Sequence, residues 1–522
     1  MNKIVENQLP TNLYSAQAVR QLDSIAINEF GISGYELMKR AGKASFNYLQ
    51  NTWPLAKHIV VCCGAGNNAG DGYVIARLAM QAGLDVSVIS LVEPEKLQGD
   101  AKKAWQDWHS MGHQLAQCAA ELFQQADVIV DALLGTGLAR EVEGRWADLI
   151  DIINCADKAV LAVDIPSGLC ADTGRVAGAA VCATATMTFI GIKKGMLTNR
   201  GVDYCGEISF DDLGISQQIY ERQPAQAKRM AWSELCQFIK PRQASSHKHQ
   251  HGHLLVLGGD RGMPGAIRLA AEAALRCGAG LVTVVSHVDH ASVVLAGCPE
   301  IMFRPAEDGH VPVDLLSSAS AVVVGPGLTE SPWSRNILDA ALQSAVPKVV
   351  DAGALRLIAK ESDAPAFAPR TDWVLTPHAG EAAALLGEAP QSIQDSRFAS
   401  AELLQLKFGG HTVLKGAGSL LQSGEEPVQL CAYGNPGMAV AGMGDVLSGV
   451  LGALLAQGYD MALACQLGVC IHSLAGDMAA EQGQTGLLAS DLFPEIRKLM
   501  NKLEKDQERS GWRSESGAQS YG

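Results

Sequence analysis

The sequence predicts an α/β protein made of two consecutive parallel-sheet systems. Short runs rich in Val, Ile, Leu and Ala alternate with helical patterns over residues 58–191 and again over 253–419, and most of these runs end in glycine-rich turns. Near-continuous apolar strands of this kind belong to parallel sheets covered on both faces. Between the two series, residues 216–250 turn polar, which marks a domain boundary. Ligands of such sheets bind beyond the carboxyl ends of the strands, so function is sought in the loops that follow them.

The elements follow in order. The opening reads as helices: Ser15 caps one, and Ser33-Gly-Tyr-Glu36 is a capping box for a second that runs to about Asn51. Strands are expected in HIVVCCG (58–64), DVSVISL (85–91), DVIVDALLG (127–135), AVLAVDIPSG (159–168) and ATMTFIG (185–191), with GEISFDDLGI (206–215) closing the series. The second series holds HLLVLGG (253–259), a helix from Ala266 to Arg276, LVTVVS (281–286), AVVVGPG (321–327), KVVDAGAL (348–355), WVLTPHAGE (373–381) and HTVLKGAGS (411–419). Helices near 440–457, 460–482 and 489–503 end it. The expected domains are 1–222 and 223–505, with 506–522 a polar, disordered tail.

Composition narrows the function. A formal net charge of −14 argues against sequence-independent nucleic-acid binding, which rests on Lys and Arg neutralising phosphates. The 13 cysteines are odd in number and form no C-x-x-C pair, as expected of small core residues in a reducing compartment. The opening MNKIVENQLP has no apolar signal core, and the uncharged stretch 427–444 carries two prolines and four glycines, which excludes a membrane span. The expectation is a cytoplasmic enzyme or nucleotide-binding protein, with apolar helices that imply a homo-oligomer.

Three Gly-rich loops follow strands of the first half: GAGNNAGDG (64–72), DALLGTGLAREVEG (131–144) and VDIPSGL (163–169). Glycines allow close backbone approach, and a helix N-terminus offers N–H donors to a phosphate. Asn68, Asp131 and Ser167 bring oxygen donors to one rim; an alkali ion is one reading, and turn capping of Asp131 and Ser167 the plain one. These loops, with Tyr14, Asp23, Gly31-Ile32, Leu37-Met38, Ala41-Gly42 and TFIGIKKG, resemble the NAD(P)H-hydrate epimerase family over roughly residues 10–215. The resemblance implies a Rossmann-like three-layer fold, a bound potassium ion, and interconversion of the R and S hydrates of reduced nicotinamide (NADHX, NADPHX). It further implies that Asn67, Asn68, Ala69, Gly70 and Asp71, with Gly135, Thr136, Gly137, Leu138, Ala139, Arg140 and Glu141, bind the hydrate. Asp164 would be the acid/base group, assisted by Lys193, and Asn68, Asp131 and Ser167 would hold potassium. The family usually has glycine where Ala69 stands; if φ there were positive, alanine would cost about 1 kcal/mol.

The second half carries LGGDRGMPGA (257–266), TPHAGE (376–381), KGAGS (415–419) and NPGMAVAGMGD (435–445). Asp445 stands at the mouth of a glycine-rich anion site, where it repels a phosphate. It therefore either caps the helix or takes a proton from a hydroxyl while N–H groups hold a phosphoryl group. The set resembles the NAD(P)H-hydrate dehydratase family from about His247 to the last long helix. That resemblance implies a ribokinase-like fold with ADP as phosphoryl donor and magnesium as cofactor. It places Ala266, Gly327, His378 and Asp445 on the hydrate, and Lys415, Gly416, Ala417, Gly418, Ser419 and Gly444 on the nucleotide. HKHQHGH (247–253) reads as a solvated lead-in to a strand rather than a metal site. The expected function is thus repair of hydrated NADH and NADPH, epimerase first and dehydratase second. A vitamin-type kinase of the hydroxymethylpyrimidine or thiazole class with an accessory nucleotide-binding domain is the alternative.

Overall fold

The computed structural model describes residues 9–138, 140–361 and 369–501. They divide into two compact units, the first ending at Arg229 and the second beginning at Met230. The sequence places the boundary seven residues earlier; the strand Ala227–Arg229 pairs antiparallel with Asn12–Tyr14 and so belongs to the first unit. Ala139, the end of the last predicted helix and the tail 506–522 lie outside the described residues.

The first unit holds a parallel sheet in the order Asp85–Ser90, His58–Cys63, Val128–Ala132, Ala159–Val163, Ala185–Phe189, Glu207–Asp211. From His58–Cys63 the chain moves to one side and then returns to the other. The loops after His58–Cys63 and Val128–Ala132 therefore flank the point where strand order reverses, the usual crevice of such sheets. Both faces are covered: one core forms under the helices Gly34–Thr52 and Asn67–Gln81, another under Arg145–Cys155. The cap residues act as expected only in part. Ser15 accepts the N–H of Ala18 and Ser33 that of Glu36, but the Glu36 carboxylate pairs with Lys39 and Arg40 instead of closing a capping box. The opening also holds the strand Asn12–Tyr14, which sequence periodicity does not show in so short a run; it pairs parallel with Ile192–Lys193.

The second unit's sheet runs Met302–Pro305, Leu281–Ser286, His253–Leu257, Ala321–Val324, Lys348–Val350, Arg370–Leu375, Gly409–Leu414, Ser419–Ser423, Val428–Cys431. Its pairings are parallel as far as Gly409–Leu414 and antiparallel for the last two strands. The order reverses between His253–Leu257 and Ala321–Val324, which puts the loops starting at Gly258 and Gly325 side by side. The helices Met443–Ala456 and Met461–Ala479 are apolar on most faces because both are largely buried. Met443–Ala456 is held close by small residues. A Cβ on Gly449 would lie 2.1 Å from the Ala270 carbonyl oxygen of helix Pro264–Arg276, and one on Gly452 would lie 2.4 Å from Val323 Cγ2.

Gly449→Ala is accordingly expected to destabilise the second unit. Overpacking of a tight core costs typically about 1–3 kcal/mol, and this change presses on backbone rather than on a flexible side chain. A lower denaturant midpoint with an unchanged m-value is the outcome that checks it.

Candidate active sites

In the first unit, the segment read as a Gly-rich loop is the opening of a helix. Gly66 is the N-cap and Asn67–Gln81 the helix, with no side chain capping its free N–H groups. These orphan donors suit an anion. Ala69 is fully buried in the first turn and is not among the positive-φ residues, so alanine in place of glycine carries no strain. The loop Gly135–Leu138 packs on this turn; a Cβ on Gly135 would lie 3.4 Å from Asn68 Cβ. Arg20 donates to the Thr136 carbonyl, and Glu141 pairs with Arg175 at 2.7 Å. Arg140 is exposed.

Three of the predicted residues converge around Leu134. Asn68 donates through Nδ2 to the Leu134 carbonyl at 3.1 Å, and the Leu134 N–H donates to Ser167 Oγ at 2.8 Å. Ser167 Oγ donates to Asp131 Oδ1 at 2.6 Å, while Asp131 Oδ2 accepts the Ser167 N–H at 2.8 Å. Burial pushes the Asp131 carboxyl up to about 6, against the hydrogen bonds from Ser167 and Leu133. Asn68 Oδ1 is buried and has no hydrogen-bond partner among the described residues. An orphaned amide oxygen beside a carboxylate and a hydroxyl is a donor set suited to a hard cation, so these residues fit a potassium ion.

Asp164 is the first residue beyond the strand Ala159–Val163 and has a φ of +68°, rare for a side-chain-bearing residue. It forms an ion pair with the fully buried Lys193, whose Nζ also donates to Thr188 Oγ1 at 2.9 Å. Two further carboxyls face this pair. Burial, and then the charge of Asp164, push Asp23 up to about 6, with Lys193 pulling the other way. Burial, Asp164 and Asp23 hold Asp71 well above the ordinary range. Asp71 thus sits with carboxyls rather than with the free N–H groups of its own helix. Sequence reasoning names Asp23 only among the residues that carry the resemblance and assigns it no role; its physical signal is an acid on the inner side of an amphipathic helix.

The second unit repeats the placement. Asp351 and Lys415 are the first residues beyond the strands Lys348–Val350 and Gly409–Leu414, and Lys415 Nζ donates to Asp351 Oδ1 at 2.7 Å. Lys415 also lies 3.8 Å from Glu381, and Ser448 donates to Asp351 Oδ2 at 2.7 Å. Burial opposes the Lys415 charge, but Asp351 and Glu381 outweigh it and hold the ammonium above its usual range. Asp351 and Glu381 carry no role in the sequence reading.

His378 caps the helix Ala379–Leu386. Its Nδ1 accepts the N–H groups of Gly380 and Glu381, which leaves the ring proton on Nε2, and Glu381 returns a bond to the His378 N–H. The His378 side chain is 59% exposed, open to a ligand. Ala266 lies in the first turn of Pro264–Arg276, and Gly327 packs against Met263 just before that turn.

Gly442, not Asp445, is the N-cap of Met443–Ala456. Asp445 is in the first turn without a capping role, and its carboxyl is pushed up to about 7 by burial, then by Asp351, with Lys415 opposing and Glu381 adding. Gly444 covers the ion pair: a Cβ there would lie 3.2 Å from Lys415 Nζ. His472 supports this turn through Nε2 to the Met443 carbonyl at 2.9 Å. The loop Lys415–Ser419 is held from behind by the buried Arg397, which donates to the carbonyls of Leu414, Lys415 and Gly418. A Cβ on Gly416 would lie 2.7 Å from that guanidinium, and Ser419 Oγ donates to the Gly416 carbonyl. Asp477 fixes the Asn435-Pro-Gly437 turn, accepting from Gly434 N–H and Asn435 Nδ2, each at 2.9 Å.

Comparison with known proteins follows the same division. Residues 34–195 match the family model described as YjeF-related protein N-terminus, and residues 254–498 match that described as NAD(P)H-hydrate dehydratase. A protein of Coxiella burnetii, named bifunctional NAD(P)H-hydrate repair enzyme Nnr, is 44% identical over 94% of this chain and 100% of its own length. The chain belongs to this repair-enzyme family. Relatives with the same name from Vibrio cholerae and Escherichia coli K12 are 40% and 39% identical, over 94% of this chain and 99% and 95% of theirs. A solved ribokinase-like superfamily protein of Enterococcus faecalis V583 matches at 28% identity and a TM-score of 0.49, covering 53% of this chain and 96% of that one.

One consequence for this repair enzyme concerns pH. Folding raises the Asp445 carboxyl from 3.8 to about 7, so between those values the folded chain binds the extra proton. Stability therefore falls as pH rises through this window, and the loss is complete above about 7. Asp445→Asn is expected to raise the thermal midpoint of the second unit at pH 8, with the difference shrinking as pH falls toward 4. Parallel melts across pH check it.

Proposed function

We propose that the chain repairs hydrated NADH and NADPH in two steps. The first unit interconverts the R and S hydrates. The second dehydrates the S hydrate with ADP as phosphoryl donor, releasing AMP and phosphate. One observation carries this reading. Each unit sets a carboxylate one residue beyond a parallel strand and pairs it with a lysine, Asp164 with Lys193 and Asp351 with Lys415, in a chain that aligns along 94% of its length with bifunctional repair enzymes.

In the first unit, the N–H groups of Asn67, Asn68 and Ala69 and the loop Gly135–Glu141 hold the substrate's anionic and ribose groups, and Asp71 reaches a donor group of the hydrate rather than a phosphate. Asn68 Oδ1, Asp131 and Ser167 would hold potassium, which supplies a fixed charge that ties three loops together. Asp164 moves the proton, and Lys193 fixes its position.

In the second unit, Ala266, Gly327 and His378 hold the hydrate, while Lys415 to Ser419 and Gly444 hold the nucleotide. Asp445 takes the proton of the 6-hydroxyl as that hydroxyl oxygen bonds to the β-phosphorus of ADP, whose bond to the bridging oxygen breaks and releases AMP. Free N–H groups at the start of Met443–Ala456 face the charge that develops on the phosphoryl oxygens. Carbon 5 then gives its proton to water, the C5–H electron pair forms the C5=C6 double bond, and the C6–O pair leaves with phosphate. No three His, Cys, Asp or Glu side chains among the described residues form a ready metal cage. The donor chemistry thus fits magnesium held mainly by water and the nucleotide's phosphates, as is usual for that ion.

The test is ADP-dependent recovery of reduced-nicotinamide absorbance from mixed epimers, under conditions where spontaneous epimerisation is slow. The wild type is expected to recover all of it. Asp445→Asn should recover none while still interconverting the epimers, and Asp164→Asn should stop at the S fraction. Full ADP-dependent activity in Asp445→Asn would remove that residue from the chemistry, and a stable phosphorylated product would favour a kinase. Arg397→Lys, which loses the fork that holds three loop carbonyls, is expected to raise KM for ADP about tenfold or more while KM for the hydrate stays within about twofold. Initial rates with each substrate varied in turn check this split.

A further inference from the structure

Inversion at carbon 6 sets a demand that a single carboxylate does not meet. The hydroxyl leaves from one face and water arrives on the other, so one group must give a proton while a second, elsewhere, takes one. Lys193 is committed to Asp164 by its ion pair and to Thr188 by a hydrogen bond. Asp71, only 8% exposed, is engaged by a donor group of the hydrate in the epimerase reading.

Asp23 remains. The strand Asn12–Tyr14 sets Tyr14 opposite Lys193, and the chain turns directly into the helix Ala16–Asn28. Val19 on that helix reaches Gly191, where an added Cβ would meet Val19 Cγ2 at 3.3 Å. Arg20 reaches the other wall of the site, donating to the Thr136 carbonyl. Asp23 follows Val19 by four residues, so it shares that inner face one turn further on. It is half-buried. The charged and titratable groups it faces are Asp164, Lys193, Asp71 and Tyr220. Three carboxyls around one lysine cannot all ionise cheaply in a buried site, so burial and mutual repulsion favour the protonated forms of Asp23 and Asp71.

We infer that Asp23 is the second acid–base residue of the epimerase unit and works as the partner of Asp164. This rests on the epimerase reading above and deepens it. In one direction Asp23 gives its proton to the 6-hydroxyl. The C6–O bond breaks, its electron pair leaves with water, and the ring nitrogen lone pair forms the N1=C6 double bond. Water adds to the opposite face through an oxygen lone pair, the N1=C6 π electrons return to nitrogen, and Asp164 takes the surplus proton. Solvent exchange returns the pair to its starting state, and the reverse reaction exchanges the two roles.

The experiment follows R-to-S conversion of purified hydrate by the full-length chain, without ADP, as a function of pH. Asp23→Asn is expected to lower kcat at least 100-fold with KM within about threefold, since a positioned acid–base group contributes about 10²–10⁴-fold. The pH–rate limb near 6 should vanish with it. Asp23→Glu, which keeps the carboxyl, should regain at least tenfold over Asp23→Asn and keep a limb at a shifted pH. The inference is overturned by an Asp23→Asn enzyme within threefold of wild type in kcat, by a loss confined to KM, or by a limb that persists in that variant. If Asp23→Asn does not fold, an Asp23→Glu enzyme with the limb unmoved overturns it equally. A wild type that leaves the epimers unconverted overturns the epimerase reading and this inference together; an active wild type beside an unaffected Asp23→Asn overturns this inference alone.

Discussion

The chemistry of this chain depends on where a parallel strand stops. Parallel strands end on one side of their sheet, so the first residue past each of them meets its counterparts in a common crevice. Asp164, Asp351 and Lys415 all occupy that position, and Asp131 lies two residues short of it, at the penultimate place of its strand. None of these side chains needs a long loop to reach its partner. The sheets' own hydrogen bonds, anchored by apolar cores on either face, fix the separations.

Charge imbalance then tunes the two sites. In each, one lysine faces more carboxyls than it can neutralise: Asp23, Asp71 and Asp164 around Lys193, and Asp351, Glu381 and Asp445 around Lys415. The carboxyl in direct contact with the lysine takes the ion pair, and those further off are left to burial and mutual repulsion. This divides chemically identical side chains into those held as anions and those whose charged form is disfavoured. Backbone strain marks the same places: Asp164 and Ala352, adjacent to Asp351, both have positive φ without being glycine.

Sequence reading found what is local. The apolar runs located most of the parallel strands, and the glycine-rich segments located the loops, because both depend on neighbours in the chain. Asp445 was visible for the same reason, an acid out of place beside glycines. It missed what folding brings together from afar. Arg397 reads as an ordinary helix residue until the loop starting at Lys415 closes over it. Asp23 carries part of the resemblance but gains a chemical setting only from Lys193, 170 residues on, and the strand Asn12–Tyr14 is too short to show a period. The hairpin of Ser419–Ser423 and Val428–Cys431 was lost because its first strand starts on the last residue of a segment read as a phosphate loop. The domain boundary slipped because Ala227–Arg229 pairs with the chain's opening.

Ala69 shows how a departure from a family pattern can have the opposite sign from the one its neighbours suggest. The turn it occupies is helical, and alanine is the best helix former where glycine is among the worst. Alanine also restricts the unfolded chain, so the exchange favours the native state by about 0.4–1 kcal/mol where the backbone accepts it. The methyl group here stiffens the scaffold on which free N–H groups await an anion. Wherever glycine stands in such a helical turn, the same one-carbon addition is a route to a more heat-resistant protein.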